Sequence, residues 1–270
     1  MFCDTDLAAR IERAERDLTT AACATVRERL ADVLQLPIAG GLAAFTEPGS
    51  PLNKVIGLGF APFEPSEWAV VEAAHAVRKA PIQVELSTLA DPTIAPFLTG
   101  RGFQLVGVEN VLGRALAPFT PTERHGIRMA ASGGDEIQRW LDVIVAGFAQ
   151  ADTQGVASHE SFDRAVLERI VRDFATAVGF TRYLAWRDDD LAGAASMRIG
   201  DGIVQLCGAA TLPAHRRRGV QSALLEHRLA TAARQGCTLA VITTQPGSKS
   251  MQNALRAGFA LLYSRNVLRR

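Results

Sequence analysis

The sequence predicts an α/β chain in which a mixed α+β sheet domain occurs twice in tandem. Three observations carry that expectation. At about 150 residues per domain, 270 residues make one large domain or two ordinary ones. Residues 102–114 read GFQLVGVENVLGR and residues 258–270 read GFALLYSRNVLRR, with seven of thirteen positions identical at an offset of 156 residues. Self-similarity at a fixed offset marks a repeated structural unit. Between the copies, residues 117–136 hold two prolines, three glycines and few large apolar side chains, the composition of a junction. The expected division is a domain over 1–117, a linker over 118–125 and a second domain over 126–270.

Hydrophobic residues make up 48% of the chain, enough for a real core. Lysine and arginine total 29 against 28 acidic residues, a formal charge of +1, which argues against a nucleic-acid protein working through bulk charge. The four cysteines (Cys3, Cys23, Cys207, Cys237) form no C-x-x-C pair and read as reduced thiols. The opening MFCDTDLAARIERAERD has no apolar signal core, and no run of 18 apolar residues exists, so the expectation is a cytoplasmic chain with no membrane partner. A monomer or homodimer is expected.

The second copy carries helical spacing first. In GDEIQRWLDVIVAGFAQA the apolar positions Ile137, Leu141, Ile144, Val145 and Phe148 share one face. SFDRAVLERIVRDFATAVG is a second helix, with Ser161 as N-cap and Gly179 as stop. Residues 180–213 read as three strands, broken by turns at 188–190 and 200–202. A helix starts near Val220 and runs to about Gly236. TLAVITT is a buried strand by its β-branched content. GSKSMQNALRAG is a short serine-capped helix, and FALLYSRNVL supplies one or two final strands. The first copy follows a similar course: a long N-terminal helix, strands within residues 42–60, a helix in SEWAVVEAAHAVRKA, the strand PIQVEL, then the matching end.

Chemistry concentrates in PAHRRRGVQSALL, residues 213–225. A strand ends at Leu212, a basic turn follows, and a helix begins. A helix start exposes unpaired N–H groups and the positive end of the helix dipole, a site for a phosphate or pyrophosphate. Gly219 removes a side chain where the backbone must approach the anion. Arg216, Arg217 and Arg218 surround that point with bidentate donors.

This stretch resembles the signature of the GCN5-related N-acetyltransferase (GNAT) superfamily, Gln/Arg-x-x-Gly-x-Gly/Ala between the fourth strand and third helix. Arg216 and Gly219 match the first and fourth positions, and Gln221 departs from the small sixth residue. The resemblance covers residues 126–270 with the motif and 1–116 without it. It implies a turn that wraps the pyrophosphate of acetyl-CoA, with Thr211, Leu212, Arg216, Arg217, Arg218, Gly219, Val220, Gln221, Ser222 and Asn253 as cofactor contacts. It also implies acetyl transfer to a small-molecule amine acceptor, or to a peptide or protein amine, without a metal. A non-catalytic acyl-CoA-binding regulator is the rival reading. At the corresponding place the first copy has GFAPFEPSEWAVV, where Glu64 and Glu67 would repel a diphosphate. That copy therefore reads as degenerate.

The catalytic groups are less legible. Many family members place a tyrosine acid where this chain has Ala254. Tyr263, on the strand beyond, and Ser250 are the substitutes, with His215 a third. Cys207 reads as a buried thiol. Gln205 stands where the family often has a base but cannot accept a proton, and Glu160 or Asp163 are the alternatives near the acceptor-side helices. HESFD, from His159, has Asp163 where a zinc helix needs a second histidine, so no zinc site is implied.

Overall fold

The structure, a computed structural model, describes residues 1–149, 156 and 163–270. The first half runs α1 (Thr5–Arg27), β1 (Leu34–Ile38), β2 (Gly41–Phe45), β3 (Lys54–Ile56), α2 (Pro65–Val77), β4 (Gln83–Ser87), α3 (Ile94–Gly100) and β5 (Gln104–Ala115). The second runs β6 (Ile127–Ala131), α4 (Ile137–Ala149), α5 (Arg164–Thr176), β7 (Phe180–Arg187), β8 (Asp190–Gly200), β9 (Ile203–Gln205) and β10 (Ala209–Thr211). After a single 3-10 turn (Pro213–His215) come α6 (Val220–Arg234), β11 (Leu239–Thr244), α7 (Lys249–Arg256) and β12 (Ala260–Arg269).

Local chemistry sets the boundaries. Asp4 caps α1 by accepting the Leu7 N–H at 2.9 Å, and Ser248 caps α7 through Met251 at 3.2 Å. The β7–β8 turn places Asp188 at φ 56°, a conformation aspartate tolerates. The helix around residue 164 is capped by Asp163, whose carboxylate accepts from Ala165 and Val166; the expected cap Ser161 lies outside the described residues. The three strands expected between residues 180 and 213 are four, because the chain bulges after Gln205 and resumes as β10. Strand β1 and helix α3 were not anticipated from the sequence.

Among the described residues all twelve strands join one sheet, in the order β1-β2-β3-β4-β12-β5-β11-β9-β8-β7-β6, with β10 also on β8. The two closing strands are exchanged. Strand β12, the end of the second half, inserts between β4 and β5 of the first; β5 in turn lies between β12 and β11 of the second. They pair antiparallel, and the pair at the centre of the exchange is Glu109 with Arg265. These two residues stand 156 positions apart, so they are equivalent positions of the repeat, and a pseudo-twofold axis passes between them.

That axis carries a cluster of buried charge. Arg265, 1% exposed, contacts Glu12 at 2.8 Å, Glu109 at 3.8 Å and Glu85 at 4.0 Å. Lys54 joins Glu85 at 3.1 Å to Glu15 at 3.8 Å. Burial alone would lower the pKa of both cations, but the surrounding carboxylates hold each well above its ordinary value. Around this cluster the core divides by sheet face. Val204, Leu206 and Ala240 pack on Leu224 and Leu225 of α6. Ile203, Leu239, Val241 and Tyr263 pack on Ile11 and Ala14 of α1. No described helix is long and apolar enough to cross a membrane.

Replacing Arg265 with methionine leaves Glu12 buried without its cation and Glu85 with Lys54 alone. The expected loss is about 3–5 kcal/mol of unfolding free energy, read as a lowered urea midpoint with the slope unchanged.

Candidate functional site

Strand β11 runs parallel to β9 over three residue pairs, ending at Val241 opposite Gln205. One further bond, Leu206 N–H to Val241 carbonyl at 2.9 Å, closes that ladder. Beyond it β10 pairs with β8, while β11 stays on β5 through Thr244. The sheet is therefore split between β10 and β11. At the top of the split the chain turns through the 3-10 segment into α6. Arg217 sits at φ 61°, and Gly219, the residue before α6, at φ 83°. Among the described residues no side chain caps α6, so its first N–H groups are left without a side-chain acceptor at the positive end of the helix dipole.

The arginines differ in placement. Arg216 is half-buried, and its Nε–H donates to the Thr211 carbonyl at 3.3 Å; Arg217 and Arg218 are exposed. Thr211, Leu212 and Gln221 are half-buried, Val220 is buried in the α6 core, and Ser222 is exposed. The linker adds a fourth cation: Arg124 bonds Glu226 of α6 at 2.6 Å and lies against Gly219.

On the opposite face of the split lies a cavity of about 320 Å3. Its walls come from both halves: Ile11, Ala14 and Leu18 of α1, Trp140 and Ile144 of α4, and Val171 and Phe174 of α5. Its floor is the strand bulge from Gln205 to Gly208 and the adjoining Val241 and Thr243. Glu15, from α1, is the carboxylate in the lining, and the Gln205 Nε2–H donates to its Oε2 at 3.2 Å. Below the bulge the buried Arg228 of α6 donates to the carbonyls of Ser196 (2.7 Å), Cys207 (3.2 Å) and Leu224 (3.1 Å). Burial lowers its pKa to about 10. These carbonyls fix the bulge where the strands part.

With this geometry in view, the chain can be set beside known proteins. The acetyltransferase (GNAT) family matches residues 146–259, the segment that contains the split, the basic turn and α6. Among solved structures, a GCN5-related N-acetyltransferase from Kribbella flavida aligns with a TM-score of 0.66 at 20% identity, over 97% of this chain and 95% of that one. A tandem GNAT protein from the clavulanic acid biosynthesis pathway aligns at 0.60 and 16% identity, over 85% and 78%. A GCN5-related N-acetyltransferase from Sphaerobacter thermophilus aligns at 0.57 and 15%, over 88% and 75%. The fold is thus the GNAT fold in tandem across nearly the whole chain. No curated protein matches the sequence.

The first GNAT-like half has the same parallel strand pair, β3 with β4, but its split is stitched shut. Gly59 accepts from the Asp91 N–H at 3.0 Å. A Cβ on Gly59 would meet Ile94 Cδ1 at 2.7 Å, so the space is filled. Phe63, Phe97 and Trp68 stack edge-to-face nearby. Helix α2 begins with Glu64 and Pro65 in place of the basic turn.

The residues singled out as catalytic from sequence scatter. Tyr263 is 4% exposed and packs against α1, outside the cavity lining. Its hydroxyl donates to Glu12 Oε1 at 2.7 Å, and burial with that carboxylate holds its pKa well above the ordinary value. Ser250 is exposed in the first turn of α7; Asn253 is half-buried on the same helix. His215 is half-buried in the basic turn, and its Nδ1 has no hydrogen-bond partner. Cys207 lines the cavity with its thiol, which burial pushes up to about 12, so it stays protonated at neutral pH. Asp163 is occupied in capping α5. Residues 159–161, with Glu160, lie outside the described residues. Among the described residues no cluster of His, Cys, Asp or Glu forms a metal site.

Glu15 and Arg228 were missed. A signal for Glu15 was present: it stands between Ala14 and Leu18, inside the apolar stripe of the N-terminal helix, where a charge needs a reason.

Tyr263→Phe separates a structural hydroxyl from a catalytic one. The expected cost is about 1.5–3 kcal/mol of stability, the range for a hydrogen bond to a charged group, with any turnover unchanged. The raised phenol makes folding less favourable as pH climbs past about 10, the unfolded value. The wild-type melting temperature falls there more steeply than that of the variant. Loss of turnover with normal folding restores Tyr263 as the acid.

Proposed function

We propose that the chain is an acetyl-CoA-dependent N-acetyltransferase whose second half is the working copy and whose first half is a degenerate, supporting one. The observation that carries this reading is the open split between β10 and β11, with an uncapped helix start at one side and a largely apolar cavity at the other. Its partly buried mouth fits a ligand with a diphosphate and an extended arm. The Thr211 Oγ1 is buried without a hydrogen-bond partner at the end of β10. A Cβ on Gly219 would meet nothing nearer than the flexible Arg124 at 3.7 Å, so the helix start is open to an anion.

In this reading Arg216, Arg217, Arg218 and the N–H groups of Gly219, Val220, Gln221 and Ser222 hold the diphosphate. Thr211, Leu212 and Asn253 contact the arm. Bound acetyl-CoA would supply the acetyl group as a thioester, activated toward an amine. The chain contributes position: the bulge pinned by Arg228 presents strand backbone on one side, and the cavity holds the acceptor amine on the other. A cavity of about 320 Å3 has the size for a small-molecule amine.

The test pairs binding with turnover. Gly219→Val forces a β-branched residue to φ 83°, a strained conformation, and weakens acetyl-CoA by more than about tenfold in calorimetry. Arg216→Ala loses a charge-assisted contact and weakens it by about tenfold. Unchanged affinity in both removes the diphosphate assignment. Tight binding with no thiol release on any amine points to the regulatory, non-catalytic reading instead.

A further inference from the structure

The cavity is asymmetric in a way that names its occupant. Its far wall is apolar: Leu18, Trp140, Ile144, Val171, Phe174 and Phe180. An apolar cavity of about 150 Å3 accepts benzene, so a space of about 320 Å3 has room for a ring or short alkyl chain with a polar head. The other end carries Glu15, Gln205 and Thr243 against the strand bulge. Glu15 is the visible tip of the charge cluster at the pseudo-twofold axis. That cluster joins four carboxylates (Glu12, Glu15, Glu85, Glu109) to two cations (Lys54, Arg265), a formal charge of −2. Arg198, which bonds the far side of Gln205 at 3.3 Å, brings the neighbourhood to −1. Low dielectric strengthens the pull of such an excess on an incoming cation.

We propose that this cavity is the acceptor site for a primary amine with an apolar body, and that Glu15, contributed by the first half, grips its ammonium and takes its proton. The proposal rests on the acetyltransferase reading above. The amine nitrogen forms a bond to the acetyl carbon as the carbon–sulfur bond of the acyl thioester breaks. Of the two protons the ammonium nitrogen gives up, the first passes to a Glu15 carboxylate oxygen and frees the lone pair for attack; the electron pair of the broken bond leaves on sulfur, and the second proton passes to that thiolate to give the free thiol. Gln205, on the strand, holds that carboxylate in place through its Nε2–H. The degenerate half thereby supplies a group that strand β9 lacks. Acidic acceptors are disfavoured by the same negative balance, and polyamines by the apolar wall, where a second ammonium would be buried without a partner.

The experiment measures binding and transfer separately, on the full chain. Phenethylamine and hexylamine are titrated calorimetrically against 2-phenylethanol, spermidine and glutamate. The expected result is phenethylamine binding at least about tenfold tighter than the uncharged alcohol or spermidine. Glu15→Gln removes that preference, and Val171→Trp, which fills the apolar wall, weakens both apolar amines together. With acetyl-CoA present, Glu15→Gln lowers kcat for phenethylamine by about a hundredfold or more, while acetyl-CoA affinity is unchanged. Circular dichroism of each variant separates a lost site from a lost fold, and Glu15→Gln alone decides the matter if Val171→Trp does not fold. Preference for spermidine or glutamate, or wild-type behaviour of Glu15→Gln, overturns the proposal. Glu15-dependent phenethylamine binding without thiol release supports the amine site and overturns the transferase reading.

Discussion

The exchange of closing strands is the constraint on which the remaining structure depends. Because β12 sits inside the first half and β5 inside the second, neither half completes its sheet alone. The exchange is centred on one pair, Glu109 and Arg265, the same position of the repeat in its two copies. In a perfect repeat these would be identical residues facing each other across the axis. Two glutamates or two arginines there would repel in a low dielectric. Divergence to opposite charges at this position turns the point of greatest conflict in a duplicated fold into an ion pair. Arg265 then gathers Glu12 and Glu85 as well, and Tyr263 follows, two residues earlier on the same face.

The exchange also fixes what the first half can contribute. With the sheet continuous, α1 lies over strands of both halves, meeting β9 near its start and β2, β3 and α5 toward its end. One 23-residue helix therefore carries side chains to two places. Glu12 reaches the axis, and Glu15, nearly one turn further, reaches the cavity of the second half. The first half has lost its own split: Gly59 is stitched to Asp91, and three aromatic rings occupy the neighbouring space. Filling that split adds core to the half whose helix must be held rigidly over the other. Duplication followed by closure of one site thus converts a copy into part of the wall of its sibling.

Much of the fold was legible in the sequence because its signals are local. The serine cap of α7, the turn at Asp188, the basic strand-to-helix turn and the 13-residue repeat are all read within short windows. The exchange was not, since pairing β12 with β4 joins residues about 180 positions apart and no local pattern distinguishes it from ordinary closure. Tyr263 shows the same limit at the site. A bulge at Leu262 interrupts the register, so that Tyr263 pairs with Val111 and enters the core under α1. From spacing alone it stood close to helix α7. Glu15 shows in the sequence only as a charge within an apolar stripe: it lies near the start of the chain and its contact is with Gln205 of the other half. Side chains supplied across the interface between halves leave no mark in the motif they complete.

The split strand pair itself is polarised. On the α1 face stand Glu15 and the excess of carboxylates behind it; on the α6 face stands Arg228, buried and solvated by three carbonyls with no carboxylate among its hydrogen-bond partners. The cost of burying that guanidinium is visible in its lowered pKa. A cation held this way is stabilised by any negative charge that approaches the bulge, and the carboxylates opposite by any positive charge. Arginine at 228 cannot be exchanged for lysine on this argument, because only the planar fork reaches the carbonyls of Ser196, Cys207 and Leu224 together. The two faces of one bulge thus present opposite fields to whatever occupies the gap between β10 and β11, and the sheet holds those fields apart by the width of a single strand.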